Sequence, residues 1–175
     1  RFDGETLNWL NQQYIKSADS RVLVAGLTRE LERLGVEITD RDSLVPIAEA
    51  FRERAKTLVE LAEQARVYVA ESLEYEPKSA AKHLGPDSAE LLAQVRARLA
   101  KLPQWTVEST QHVVEDVASG AGVGMGKVAQ PIRVALTGGT ASPGIGVTLH
   151  ILGPRKTLAR LDRAIAFARA SLSRG

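Results

Sequence analysis

The chain has 175 residues, of which 44% are hydrophobic and 25% charged, the composition of a folded globular protein rather than a disordered tail. It holds no cysteine, which excludes disulfides and thiolate metal sites, and no apolar run approaches the roughly 20 residues of a membrane span. The net charge of +2 is unevenly spread: from Lys127 onward eight basic residues face one acidic residue, +7, while the preceding 126 residues sum to −5. An end of this kind is either a solvated helix face or a patch for a polyanion.

No basic, apolar, small-residue leader opens the chain, so a cytoplasmic location is expected. Arg1 rather than methionine comes first, and patterned sequence begins at once, so a piece of a longer protein is expected.

Leu7, Leu10, Tyr14 and Ile15 recur at helical spacing in a first short helix. Leu23, Leu27, Leu31 and Leu34 stripe a second, which Gly35 ends where a left-handed residue is wanted. Thr39, Asp40, Arg41 and Asp42 read as a turn. Residues 44–73 then read as one long helix, with Pro46 in its first turn and Ile47, Phe51, Ala55, Leu58, Ala62, Ala65, Val69 and Leu73 on one face. Pro77 closes it.

Residues 78–85 form a short helix or turn. Pro86 opens a helix with Leu91, Val95, Leu99 and Leu102 inward, stopped by Pro103. Trp105 precedes Thr106, a helix N-cap, and a helix bearing Val113, Val114 and Val117. The glycine-rich residues 120–126 read as a flexible connection. Residues 127–136 are read as a helix entered through Pro131, and 145–152 as a short helix ended by Gly153. Pro154 opens the last, with Leu158, Leu161, Ile165, Ala168 and Leu172 buried. The runs 132–136 and 147–151 are branched enough for strands, but proline and glycine frame both as capped segments, so helix is preferred. The expected fold is all-α, eight to ten helices, with a break near Pro103 separating two helical units.

Catalytic signals are missing. A phosphate-binding loop needs Gly, four residues, then Gly-Lys-Ser/Thr; here Ala121 and Val128 occupy two of the required places. His83, His112 and His150 are far apart and lack metal-ligand spacing. Asp40 and Asp42 suit a turn or cap better than a cation. Ser142 has no evident base partner. A binding module is expected.

The run Gly126-Lys127-Val128-Ala129-Gln130-Pro131-Ile132-Arg133-Val134-Ala135-Leu136-Thr137-Gly138 resembles a signature near the C-terminus of bacterial glutamyl-tRNA synthetases, of the class I aminoacyl-tRNA synthetases. Ser142-Pro143, Leu152-Gly153 and Arg160-Leu161 continue it. Phe2-Asp3, Leu7-Asn8-Trp9-Leu10-Asn11 and Tyr14-Ile15 resemble the family's link between catalytic domain and anticodon-binding helices, with Thr6 where the family often has lysine. Arg52-Glu53-Arg54-Ala55-Lys56-Thr57-Leu58 is similar to a basic stretch at the head of a long helix. Together these span nearly the whole chain.

The resemblance implies a parent enzyme that joins glutamate to its tRNA with ATP and magnesium. The family's His-Ile-Gly-His-like and Lys-Met-Ser-Lys-Ser-like motifs do not occur here, so no catalytic, ATP, cofactor or metal residue is carried over, and the chain is expected to be inactive alone. It implies residues 1–43 as part of a stem-contact region, then helical anticodon-binding subdomains at 44–103 and 104–175. The implied partners are the anticodon arm of glutamate tRNA and the catalytic domain of the same chain. A monomer without membrane contact is expected.

Single-stranded bases are read by stacking and by hydrogen bonds to their edges, while cations hold the backbone. Arg133 is the first expected anticodon contact; the alternative is that it binds helix carbonyls and fixes the Gly138 turn. Thr137 is expected to shape that turn. Lys127, Lys156 and Arg155 suit phosphates, Arg155 because it opens a helix whose N-terminal dipole end is positive. Arg160 is expected either at the tRNA or in an internal ion pair. Arg52, Arg54 and Lys56 are expected to form a second wall, or to be surface ion pairs. A helical protein-interaction scaffold with a basic surface, and an enzyme using the glycine loop, are the competing readings.

Overall fold

The computed structural model describes residues 4–171, with side-chain surroundings from Asn11 onward. The expected roles of Phe2, Asp3, Leu7, Trp9, Leu10 and Leu172 therefore lie outside the described side chains. Among the described residues ten α-helices and one 3-10 turn account for the regular structure, with no strand. Both branched runs are helical.

The chain divides into two compact units after Ala70. The first holds α1 (Gly4–Ser17), α2 (Ser20–Arg33), a 3-10 turn (Arg41–Ser43), α3 (Leu44–Phe51) and α4 (Leu58–Val69). Asp19 caps α2 by accepting the Arg21 N–H. Asp40 likewise accepts from Asp42 N–H, the turn role expected of it. α2 packs on α3 and α4 through Leu23, Leu27 and Leu31, none of which is solvent-exposed. Burying each such side chain contributes roughly 1.5–3 kcal/mol.

The long helix expected over 44–73 is two helices. Thr57 takes an extended conformation, φ −136° and ψ 162°, and its hydroxyl accepts the Glu60 N–H at 3.0 Å, while the Glu60 carboxylate accepts the Lys56 N–H at 3.2 Å. This is a close relative of the capping box, and it starts α4 afresh. Ala55 is fully buried in the intervening turn. The hydrophobic stripe runs through the break because both helices and the turn face the same core. α4 ends at Val69, and Leu73 lies in extended chain leading to Pro77.

The second unit holds α5 (Pro77–His83), α6 (Pro86–Leu99), α7 (Val107–Ala121), α8 (Met125–Thr137), α9 (Ile145–Leu152) and α10 (Pro154–Ala170). α8 is its centre, packed by α5, α6, α7, α9 and α10. Val128, Ile132, Val134 and Leu136 are accordingly fully buried. α6 lies along α10, with Leu92 rather than Leu91 fully buried beside Val95 and Leu99. The turn at Pro103 does not separate packing units, since α6 and α7 pack on each other across it.

The glycine-rich residues 120–126 are mostly helix ends, not a long linker. Gly122, φ +68°, ends α7 in the left-handed conformation, and the Val123 N–H bonds the Ala118 carbonyl at 3.0 Å. Gly124 then caps α8. Pro131 lies inside α8 rather than at its entry; lacking an N–H, it leaves the Lys127 carbonyl without its usual intrahelical donor. Thr106 and Ser109 form a reciprocal capping box at the start of α7.

Candidate nucleic-acid interface

The expected interface residues fall into three structural situations. Arg52 and Arg160 are internal. Arg52 keeps 14% of its side chain exposed, pairs with Glu49 at 3.1 Å and donates to the Lys16 carbonyl at 3.1 Å, so it ties the end of α1 to α3. Arg160 is 6% exposed and donates to the Leu136 carbonyl at 2.7 Å. Its guanidinium thus caps the C-terminal turn of α8 instead of lining open surface.

Arg133 and Thr137 lie half-buried on α8, at the turn it forms with the following loop. Arg133 Nε donates to Ser142 Oγ at 3.0 Å, Nη1 to the Gln130 side-chain oxygen at 3.2 Å, and Nη2 to the Pro143 carbonyl at 3.4 Å. Thr137 Oγ1 donates to the Arg133 carbonyl at 2.8 Å. Gly138 follows at φ +87°, where a Cβ would collide with the Glu74 carbonyl oxygen, and its own carbonyl accepts the Glu76 N–H at 2.8 Å. The arginine therefore grips the loop at residues 142–143, and the threonine and glycine shape the turn that leads into it.

Lys127, Arg54, Lys56, Arg155 and Lys156 remain at the surface. Arg54, Lys56 and Lys127 are exposed and have no ion partner among the described residues. Arg155 meets Glu71 at 3.5 Å with both side chains largely exposed, a pair worth little in water. Lys156 is half-buried, and burial pulls its ammonium below the ordinary lysine range, with Arg160 and Arg155 adding to that and Glu71 opposing it.

Sequence reasoning passed over Arg163 and Lys82. Arg163 donates to the Leu73 carbonyl at 2.7 Å and lies 4.5 Å over the Tyr75 ring, which meets Phe167 edge-on at 5.0 Å. It pins the extended segment before α5 to α10, and burial raises the Tyr75 hydroxyl above its usual range against the opposing charge of Arg163. Lys82 closes α5, exposed and without an ion partner among the described residues. The signal for Lys82 was its place just before the Gly85-Pro86 helix start. Among the described residues no cluster of His, Asp or Glu could hold a metal ion, and no helix is long and apolar enough to cross a membrane.

Among the described residues, a helical fold with a buried central helix, an arginine-held loop, and Arg54, Lys56 and Lys127 exposed without an ion partner suits a nucleic-acid-binding helical domain. The chain belongs to the anticodon binding domain family, whose profile matches residues 10–165. It is 44% identical over 162 residues to a glutamate–tRNA ligase of Myxococcus xanthus, covering 92% of this chain and 34% of that protein. The chain thus spans about a third of the length of this relative. The same fold occurs in the crystal structure of a glutamate tRNA ligase from Elizabethkingia meningosepticum in complex with its amino acid, with a TM-score of 0.83 at 24% identity over 95% of this chain and 33% of that one. A glutamate-tRNA synthetase from Elizabethkingia anophelis gives 0.81 at 23% identity, over 95% of this chain and 32% of that one.

Proposed function

We propose that this chain is the anticodon-binding part of a glutamate–tRNA ligase and holds the anticodon arm of glutamate tRNA. The observation that carries this reading is the 44% identity to such a ligase across 92% of the chain. Under it, residues 1–43 belong to a stem-contact region, while 44–103 and 104–175 contribute the anticodon contacts. ATP and magnesium serve the catalytic portion of the parent enzyme, to which no residue here contributes. The parent works as a cytoplasmic monomer.

The surface cations Arg54, Lys56, Lys127, Arg155 and Lys156 hold phosphates, which fix register without reading sequence. Arg133 works at the anticodon by holding the 142–143 loop in place. Thr137 sets the geometry of that turn. Arg52 and Arg160 act indirectly, by fixing the helices that carry the others.

The test is a binding titration of the 175-residue chain with glutamate tRNA and with an unrelated tRNA across a salt series. Tighter binding of glutamate tRNA, weakening steeply with salt, is expected. Equal and weak binding of both would reject anticodon recognition and favour a basic protein-interaction surface.

A further inference from the structure

The turn between α5 and α6 and the first turn of α8 line a half-open pocket of about 590 Å³, with Lys82, His83, Asp87, Ser88, Lys127 and Thr140 in its wall. Its chemistry is that of an anion site. Lys82 and Lys127 come from different helices, and neither has a carboxylate partner among the described residues, whereas Arg96, Arg98 and Arg155 each meet one. Asp87 is the one carboxylate in the wall, set against two ammonium groups.

The backbone adds to this charge. α6 and α8 both start on glycine, Gly85 and Gly124, with no side-chain cap, and the first residues of both line the cavity. The positive ends of two helix dipoles thus border one space. Pro86 offers no N–H, and the Ser88 and Lys127 N–H groups bond the Gly85 and Gly124 carbonyls. That leaves the Asp87 and Gly126 N–H groups without a backbone partner among the described residues. Gln130, also in the wall, has its side-chain oxygen committed to Arg133, so the free end of its amide is the N–H donor. Ser88 and Thr140 supply hydroxyls that make no bond among the described residues. Donors therefore converge from three elements.

We propose that this cavity binds a phosphate group, supplied by the RNA backbone. The assignment rests on the anticodon-binding reading for the source of that phosphate, and on the cavity alone for its chemistry. It extends the interface beyond the residues near Arg133 to the α5–α6 turn. Lys82 and Lys127 bring two ammonium groups to the anion from different helices, the Asp87 and Gly126 backbone N–H groups and the Gln130 side-chain amide N–H complete the cradle, and His83 lies in the same wall. Burial and Lys82 hold the His83 imidazole below its ordinary range; a phosphate beside it acts in the opposite sense.

The experiment compares the 175-residue chain with Lys82→Gln and Lys127→Gln, and with Lys101→Gln, which lies outside the cavity, as control. Affinity for glutamate tRNA is read across a salt series, and His83 titration is followed by NMR alone, with inorganic phosphate and with RNA. Both cavity variants are expected to lose roughly two- to fivefold in affinity and to lower the salt slope by about 0.7 each, with melting temperature unchanged. The His83 midpoint is expected to rise with RNA in the parent chain but less in either variant. If the parent chain binds RNA while the variants bind equally well and His83 is unmoved, the cavity assignment falls and the anticodon-binding reading stands. If inorganic phosphate raises the His83 midpoint but no RNA binds, the RNA source falls together with that reading. If neither ligand is bound, both fall.

Discussion

The Arg160 guanidinium donates to the carbonyl of Leu136 at 2.7 Å, joining the last helix to the end of the central one. The last carbonyls of any helix lack intrahelical donors, and those buried away from water need a partner. α8 provides for its end in three ways: Gly138 N–H bonds the Val134 carbonyl, Thr137 Oγ1 bonds the Arg133 carbonyl, and Arg160 bonds Leu136.

Replacing Arg160 with methionine keeps the stem and strands the Leu136 carbonyl in the core. A loss of about 1–3 kcal/mol in folding stability is expected, measured by urea denaturation. Since Arg160 is 6% exposed, the folded variant should retain near-parental RNA affinity at low temperature. A large loss of affinity at unchanged stability would place Arg160 at the RNA.

Gly138→Ala should be the harsher change. The backbone there is left-handed, φ +87°, and the added methyl would meet the Glu74 carbonyl oxygen, an atom on a chain segment already bonded back through Glu76. Strain and overpacking together suggest a cost of about 2–4 kcal/mol. Thermal melting checks it, and Gly122→Ala, strained but in open space, should cost less.

Thr57→Ala removes the hydroxyl that starts α4 and is expected to cost about 1 kcal/mol. Thr57→Ser, which keeps the oxygen, should restore most of it. Denaturant curves for the pair separate the cap from simple packing.

These positions mark what the sequence could and could not disclose. Helix identity was readable because apolar spacing, prolines at helix starts and glycines at helix ends all agree, as at Pro154, Gly153 and Gly35. The break at Thr57 was not, because Ala55, Leu58 and Ala62 keep the stripe going and only the Thr57 and Glu60 cap pair announces it. The division after Ala70 left no punctuation stronger than that at Pro103. Arg133 was legible as a residue of the central motif, but its partners Gln130, Ser142 and Pro143 were not. Arginine is rarely buried, so nothing in the sequence distinguished Arg160, a carbonyl cap, from Arg155, a surface cation. The pocket beside Lys82 joins Lys82 and Lys127, 45 positions apart in the chain, and only packing brings those together.

Lys156 gives a pH-dependent check. Its folded-state ammonium is held below the ordinary value of 10.5, chiefly by burial. Between the folded and unfolded values the unfolded chain binds more protons, so this group makes stability rise with pH in a window just under 10.5. Lys156→Met should remove that contribution, which stability curves collected from neutral to alkaline pH would show as a difference between the two chains.

Arg133 is the position where the 142–143 loop and the proposed anticodon contact would meet. Its guanidinium donates to Gln130, Ser142 and the Pro143 carbonyl, so an alanine there both frees the loop and removes a charge. Arg133→Ala should weaken glutamate tRNA binding by about 1–3 kcal/mol if a base is read through this arginine or the loop it holds. Ser142→Ala removes the bond to Arg133 Nε and leaves the charge, so it should affect affinity less. The decisive comparison is between tRNAs: a loss confined to glutamate tRNA indicates base reading, an equal loss for all indicates a phosphate contact. Unchanged affinity with a lowered melting temperature would mean that Arg133 serves the 142–143 loop alone, and the base contact would have to be sought elsewhere on the exposed edge of α8.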